Sequence, residues 1–418
     1  MAQAGAPVAR GAIRLAVIVA ALGYFVDIYD LILFGMVRVP SLKSLGVTDP
    51  DALRDQGIYL INMQMGGMLV GGVLWGVIGD KRGRLSVLFG SITLYSIANI
   101  ANGLVHSVDG YAAWRLLAGI GLAGELGAGI TLVSELMDRE SRGIGTTLVT
   151  ALGVSGGIAA GLIGGAFPGV PHPDWRVAYF IGGGLGIALL LLRIGVVESG
   201  MFRAVARKRE VSRGNFFKLF TDRKRLARYL AIILVGIPVW YVIGIAFTFS
   251  GDIGGALGLS PPPSPATTLF FCYGACTFGG MACGYLSQRL RSRRKTLGIF
   301  LGLTALALAL YFTVGALSLA VFYALAFFGG FASGYWVVMV STAAELFGTN
   351  LRATVATTVP NFVRGAVVPL TTAFRALIGG QGVVKAAIEV GAIALVLAVV
   401  GLWLLPETFG VDLDYHED

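Results

Sequence analysis

Six ionisable residues sit inside long apolar stretches of the sequence: Asp27, Asp30, Arg115, Glu125, Arg364 and Glu389. A charge at the centre of a bilayer costs at least about 3 kcal/mol, so it persists there only with a partner or a task. Asp27 and Asp30 are three residues apart and share a helix face, and Arg115 is the nearest cation expected in the same half of the chain. Two acids facing one arginine can couple a proton gradient, because one carboxyl stays paired while the other titrates. A static ion pair is the alternative. Glu125 is too deep to snorkel and joins this candidate proton-coupling set. Arg364 lies twelve residues beyond Arg352, about 18 Å along a helix, and so deep in the bilayer. Its guanidinium can either grip a carboxylate through a two-pronged hydrogen-bonded pair or pair internally with Glu389.

Around these charges stand groups that could wall a solute cavity: Trp240, Tyr241, Tyr335 and Trp336, with Gln64 and Asn361 to orient a ligand. Each aromatic taken singly serves equally well as packing. Pro360 and Pro369 interrupt one apolar run, and discontinuous helices often mark binding sites.

The elements that must position these residues follow from composition. Of 418 residues, 56% are hydrophobic and 13% charged, about half the charge of an ordinary soluble domain, and the mean hydropathy is +0.79. A water-soluble enzyme is excluded; lipid is the solvent. Apolar runs occur at 12–36, 57–79, 85–105, 112–137, 143–166 and 175–197, then at 229–250, 266–288, 296–315, 319–346, 353–378 and 383–405. Residues 1–198 and 229–418 thus predict two six-helix bundles, joined over 199–228 by a basic cytoplasmic linker, with a short acidic tail. The 61 glycines suit close helix packing in lipid. Most of the 32 Lys and Arg residues gather in alternate short loops, which places both termini inside by the positive-inside rule and accounts for the net charge of +9 without nucleic acid. Cys272, Cys276 and Cys283 have no His nearby, so neither a disulfide framework nor a metal site is expected. No phosphate-binding loop is visible, so an ion gradient rather than ATP should supply energy, and no cofactor is expected.

An internal repeat supports the two halves. Glu135 and Arg142 reappear as Glu345 and Arg352 with the same spacing, and the loop Gly76–Arg84 has a weaker counterpart at Gly284–Lys295, where Gln288 stands for Asp80. Gly76-Val-Ile-Gly-Asp80-Lys-Arg-Gly-Arg84 resembles the loop signature of the major facilitator superfamily, with Leu85 in place of its last basic residue. The resemblance implies that Asp80 and Arg142, with Gly76, Arg84, Glu135, Glu345 and Arg352, form a cytoplasmic gate that closes one state and opens as the bundles rock. An orienting role for these charges is the plainer alternative. The run Arg115-Leu-Leu-Ala-Gly119 to Gly124-Glu125 and the stretch Val26-Asp27-Ile-Tyr-Asp30-Leu31 resemble the metabolite:proton symporter branch, departing at Ala123 and Leu31. Pro406-Glu407-Thr408-Phe409-Gly410 is similar to the ending of sugar porters and organic-ion transporters. Organic-anion transporters carry an arginine matching Arg364.

The sequence therefore predicts an all-α membrane protein of twelve transmembrane helices in two pseudo-symmetric bundles. It reads as a monomeric secondary transporter of a bacterial inner membrane, importing a small carboxylate with protons by alternating access. The rival readings are a uniporter or symporter of a sugar or a zwitterionic or cationic metabolite, and a membrane receptor or channel. An enzyme is disfavoured, as no nucleophile with a base is apparent.

Overall fold

The computed structural model describes residues 10–136, 139–167, 169–198 and 216–411. Among them every regular element is helical, and twelve spans cross in two six-helix bundles. Ten spans are single helices, or helices joined end to end, long and apolar enough to cross a bilayer. The other two, span 4 (Val108–Leu122, Glu125–Leu136) and span 5 (Arg139–Val154, Gly156–Ile163), are built from shorter pieces. Spans 1 to 3 are Arg10–Ser44, Pro50–Arg82 and Arg84–Asn102, and span 6 is Trp175–Glu198. The second bundle holds span 7 (Arg223–Tyr241, a π-turn at Val242–Phe247, Ser250–Ala256), span 8 (Pro265–Leu290) and span 9 (Arg293–Thr313). It is completed by span 10 (Leu319–Ser333, Trp336–Glu345), span 11 (Thr349–Gly365, Val367–Gln381) and span 12 (Val383–Leu404).

Local chemistry sets the ends. Asp49, Ser107, Asp222, Ser264, Ser292 and Ser318 each cap the N-terminus of the following helix with a side-chain oxygen, supplying an acceptor to an otherwise orphan N–H. Spans 2 and 3 meet at Gly83, whose φ is 88°; its repeat counterpart Arg291 between spans 8 and 9 also has a positive φ, 50°. The tight reversal is thus kept in both halves even where the glycine is not. Several helices run past the apolar stretches. Span 1 continues through Arg38 and Pro40 to Ser44, because Arg38 finds an acid at its level. Span 2 starts at Pro50 on its Asp49 cap. Of the expected 199–228 linker, 199–215 lie outside the described residues; Phe216–Phe220 form a 3-10 turn, and the basic residues from Arg223 are the first turn of span 7.

Glycines bring paired spans into backbone contact in both halves. A Cβ on Gly119 would stand 2.1 Å from the Gln64 carbonyl oxygen, joining spans 4 and 2, and one on Gly330 would stand 2.1 Å from the Cys272 carbonyl oxygen, joining spans 10 and 8. Breaks recur as well, one residue off the repeat register: span 4 at Ala123–Gly124 answers to span 10 at Gly334–Tyr335, and span 5 at Ser155 to span 11 at Ala366. The bundles meet where span 2 packs on span 11 and span 5 on span 8.

Candidate substrate and proton site

Arg364, from span 11, ends at the seam between the bundles. Its Nη2 lies 3.4 Å from Asp27 Oδ2 of span 1, and both side chains are buried. Its guanidinium sits 5.6 Å from the Trp240 ring centre and 5.7 Å from that of Trp336, within cation–π range of both. The two indoles meet edge to face at 6.2 Å. Trp336 Nε1 donates across the seam to the Tyr24 hydroxyl at 3.0 Å. Asp27 Oδ1, Arg364 Nε and Trp240 Nε1 have no protein partner.

The expected cluster of Asp27, Asp30 and Arg115 is rearranged. Although three residues apart, the two acids diverge: Asp27 turns to the second bundle, whereas Asp30 turns into the first, against Gly182 of span 6. Arg115 Nη2 donates in a short contact to Gln64 Oε1 and its Nη1 to the Tyr179 hydroxyl at 3.4 Å, while the guanidinium stacks 4.3 Å over Phe34. Among the described residues no carboxylate forms an ion pair with Arg115. Glu125 is not in the seam. Both its oxygens are held by Arg193 of span 6, at 2.7 and 2.8 Å, with Ser91 as a third donor at 3.3 Å. Glu389 accepts from Gln381 at 2.6 Å and is not the partner of Arg364.

A cavity of about 20 Å³ lies on the seam, lined by Gln64 and Arg115 from one bundle and Trp240, Thr248 and Leu269 from the other. It has room for about one water. Asn361 bridges them as well, donating at 2.8 Å to the carbonyl of Ala123 at the span 4 break. Tyr335 and Tyr241 do not present their hydroxyls to the seam: these bond to the Val235 and Ala387 carbonyls inside the second bundle.

At the end of the molecule away from the basic loops, contacts cross the seam in a ring. Arg38 pairs with Asp252 at 3.0 Å and lies 4.5 Å over Phe249. Asp55 pairs with Arg375 at 2.8 Å, Thr371 donates to Asn62 at 2.6 Å, and Thr267 donates to the Ala166 carbonyl. At the basic end Gly76 is buried, and a Cβ on it would stand 3.7 Å from the Thr358 methyl; the side chains of Asp80, Arg84, Glu135 and Arg142 lie outside the described residues. In the second half Glu345 pairs with Arg293 at 2.8 Å rather than with Arg352, which donates to the Ala344 and Phe347 carbonyls that end span 10. Thr408 joins the Glu345 carboxylate, and Glu407 accepts from Ser292 and from the backbone N–H groups of Arg293 and Arg294. Burial alone would raise the Glu407 carboxyl, yet the hydrogen bonds from Ser292 and the N–H groups of Phe409, Arg293 and Arg294 hold it below the usual carboxylate value.

Arg193, Arg38, Asp252 and Arg293 were not among the candidates from sequence. Arg193 had a visible signal, a lone cation after Leu189-Leu190-Leu191-Leu192; the others lie near span ends, where charges are unremarkable.

Two bundles of six helices, several of them broken where the bundles meet, are the architecture of a multi-pass membrane protein. The chain belongs to the Major Facilitator Superfamily, which it matches over residues 20–368. It is a multi-pass membrane transporter and not an enzyme. It is 25% identical to the niacin transporter NiaP of Acinetobacter baylyi, over 80% of each protein. It is 27% identical to the 3-(3-hydroxy-phenyl)propionate transporter of Escherichia coli, over 72% of this chain and 74% of that one. Its fold is similar to a partially occluded inward-open structure of the xylose transporter XylE from E. coli, with a TM-score of 0.72 and 15% identity over 96% of this chain and 100% of the other.

Proposed function

We propose that the protein is a proton-coupled symporter of small organic anions, favouring aromatic monocarboxylates, and that it works as a monomer in a bacterial inner membrane with its basic loops in the cytoplasm. The observation that carries this reading is the buried Arg364–Asp27 pair between Trp240 and Trp336. A carboxylate entering the seam can take the guanidinium from Asp27, and a flat ring beside it can pack on the indoles. Niacin and 3-(3-hydroxy-phenyl)propionate, which the relatives' names give as their solutes, both join a ring to a carboxyl group.

Coupling follows from charge balance. If Asp27 stayed ionised after losing Arg364, an unpaired charge would remain at mid-membrane at a cost of at least about 3 kcal/mol, roughly two decades in affinity. Anion binding therefore draws a proton onto Asp27, one for each carboxylate. The contacts on both sides of the cavity are small hydrogen-bonded pairs that rocking of the bundles can break.

A second reading rests on Arg115, which lines the cavity without a paired carboxylate: the solute could bind there with Gln64, leaving Arg364–Asp27 as the proton switch. Quenching of indole fluorescence by benzoate and nicotinate, compared with benzamide and nicotinamide, tests both. The first reading expects the acids to bind, the amides not to bind, and Arg364→Ala to abolish binding. Loss with Arg115→Ala alone supports the second. Equal binding of acids and amides, or binding of xylose or betaine instead, overturns both.

A further inference from the structure

Within the first bundle, span 3 turns a polar face toward spans 1, 4 and 6. Ser91, Tyr95, Asn99 and Asn102 recur on that face at helical spacing, with Ser96 beside them, over about 16 Å of rise. All five are buried. Ser91 is used by Glu125. The hydroxyls of Tyr95 and Ser96 and both amide atoms of Asn102 have no protein partner, and the Asn99 amide reaches toward the Asp30 carboxylate without closing a regular hydrogen bond to it. Each such buried atom costs about 1–3 kcal/mol if left unpaired, so six along span 3, with the two Asp30 oxygens of span 1 beside them, call for water as the partner.

Neighbouring elements shape this column. Span 6 withdraws from it at two glycines: a Cβ on Gly182 would stand 2.1 Å from Asp30 Oδ1, and one on Gly186 would stand 2.1 Å from Ser96 Oγ. Asn102 ends span 3 beside the 103–107 loop, on the far side from the basic loops. Toward the basic end the column meets Glu125 and Arg193, whose carboxylate oxygens and two terminal nitrogens hold each other, while Arg193 Nε has no protein partner. The charged groups facing Asp30 are Asp27 on its own helix and Arg115 of span 4.

We infer that this face of span 3 holds a file of water molecules leading from the far end of the first bundle to the Asp30 carboxylate and stopping at the Glu125–Arg193 pair. Along it each water gives one O–H proton to the next group and takes one from the water behind it, the outermost from hydronium in the medium, so a proton reaches Asp30 apart from the solute and can pass to Asp27, three residues away on the same helix. A file closed at one end does not short-circuit the gradient; discharge waits for the bundles to open at the basic end. The inference rests on the proton-coupled reading for its purpose, but not for the presence of water.

X-ray radiolytic labelling of the full-length protein, in which bound water oxidises adjacent side chains, tests the file directly. Tyr95 should label at least about tenfold faster than the equally buried Tyr311, whose hydroxyl is satisfied by the Ala246 carbonyl. Asn99→Leu with Asn102→Leu should lose that labelling, whereas Asn99→Ser should keep it. In vesicles carrying a pH dye, the double variant should slow nicotinate-driven acidification while leaving nicotinate counterflow unchanged. Tyr95 labelled no faster than Tyr311, or counterflow and acidification lost together in both variants, overturns the file. Labelled Tyr95 with no acidification by the wild type overturns the proton-coupled reading, and with it the role given to the file.

Discussion

Arg364 and Asp27 belong to opposite halves of an internal repeat, yet their side chains meet 3.4 Å apart on the seam between the bundles. A guanidinium there can satisfy one carboxylate at a time with good geometry, so solute and Asp27 compete for it. Asp27→Asn removes the competitor. Anion affinity in that variant should equal or exceed the wild type's and lose its pH dependence. Counterflow should continue, and accumulation against a gradient should stop. Equilibrium binding across pH 5 to 8, with uptake under an imposed pH gradient, checks each part.

The Arg38–Asp252 pair and the Arg38–Phe249 stack close the far end. Arg38→Ala should shift the population toward a state open at that end, by about tenfold for each 1.4 kcal/mol lost. A cysteine placed at Thr248 should then react faster with a membrane-impermeant thiol reagent added from that side. An unchanged rate would mean that the remaining seam contacts hold this end shut alone.

Glu125 and Arg193 should govern stability rather than stoichiometry. Removing one partner of a buried pair leaves an uncompensated charge and costs about 3–5 kcal/mol, whereas replacing both by apolar residues can be nearly neutral. Glu125→Leu should therefore lower the thermal midpoint in detergent, and Glu125→Leu with Arg193→Leu should recover much of it. A single variant with an unchanged midpoint but altered proton stoichiometry would return Glu125 to the coupling machinery.

Glu407 ties the end of span 12 to the start of span 9, and hydrogen bonds hold its carboxyl below the usual carboxylate value. A depressed folded value means that its contribution is fully present above the unfolded value and is lost as pH falls through the folded one. Acidification below about pH 4.5 should thus cost the wild type more stability than Glu407→Gln. Parallel loss in both proteins would remove Glu407 from the acid response.

Much of this was legible in the sequence because lipid leaves few options: apolar length fixes the spans, and a charge inside one marks a site. Asp27 and Arg364 were visible as candidates on those grounds, and Trp240 and Trp336 only as aromatics in the same apolar runs. Their pairing was not. Residues three apart on a helix point within the same half-turn, but which neighbour each meets depends on how spans 1, 6 and 11 are placed, and Asp30 went to Gly182 instead of the seam. Tyr335 and Tyr241 carry the same residue-type signal as the tryptophans, yet their hydroxyls found carbonyls inside the bundle. The breaks in spans 4, 5, 10 and 11 had only partial cues in glycine and proline, because a break needs a neighbour to take up the freed carbonyl, as Asn361 does for Ala123.

Purified protein in sealed vesicles with a pH dye inside, given nicotinate or benzoate outside with no initial gradient, tests the coupling most directly. Internal acidification should begin with anion entry, at one proton per anion, and disappear in Asp27→Asn while counterflow persists. Anion entry with no proton movement in the wild type would contradict the account.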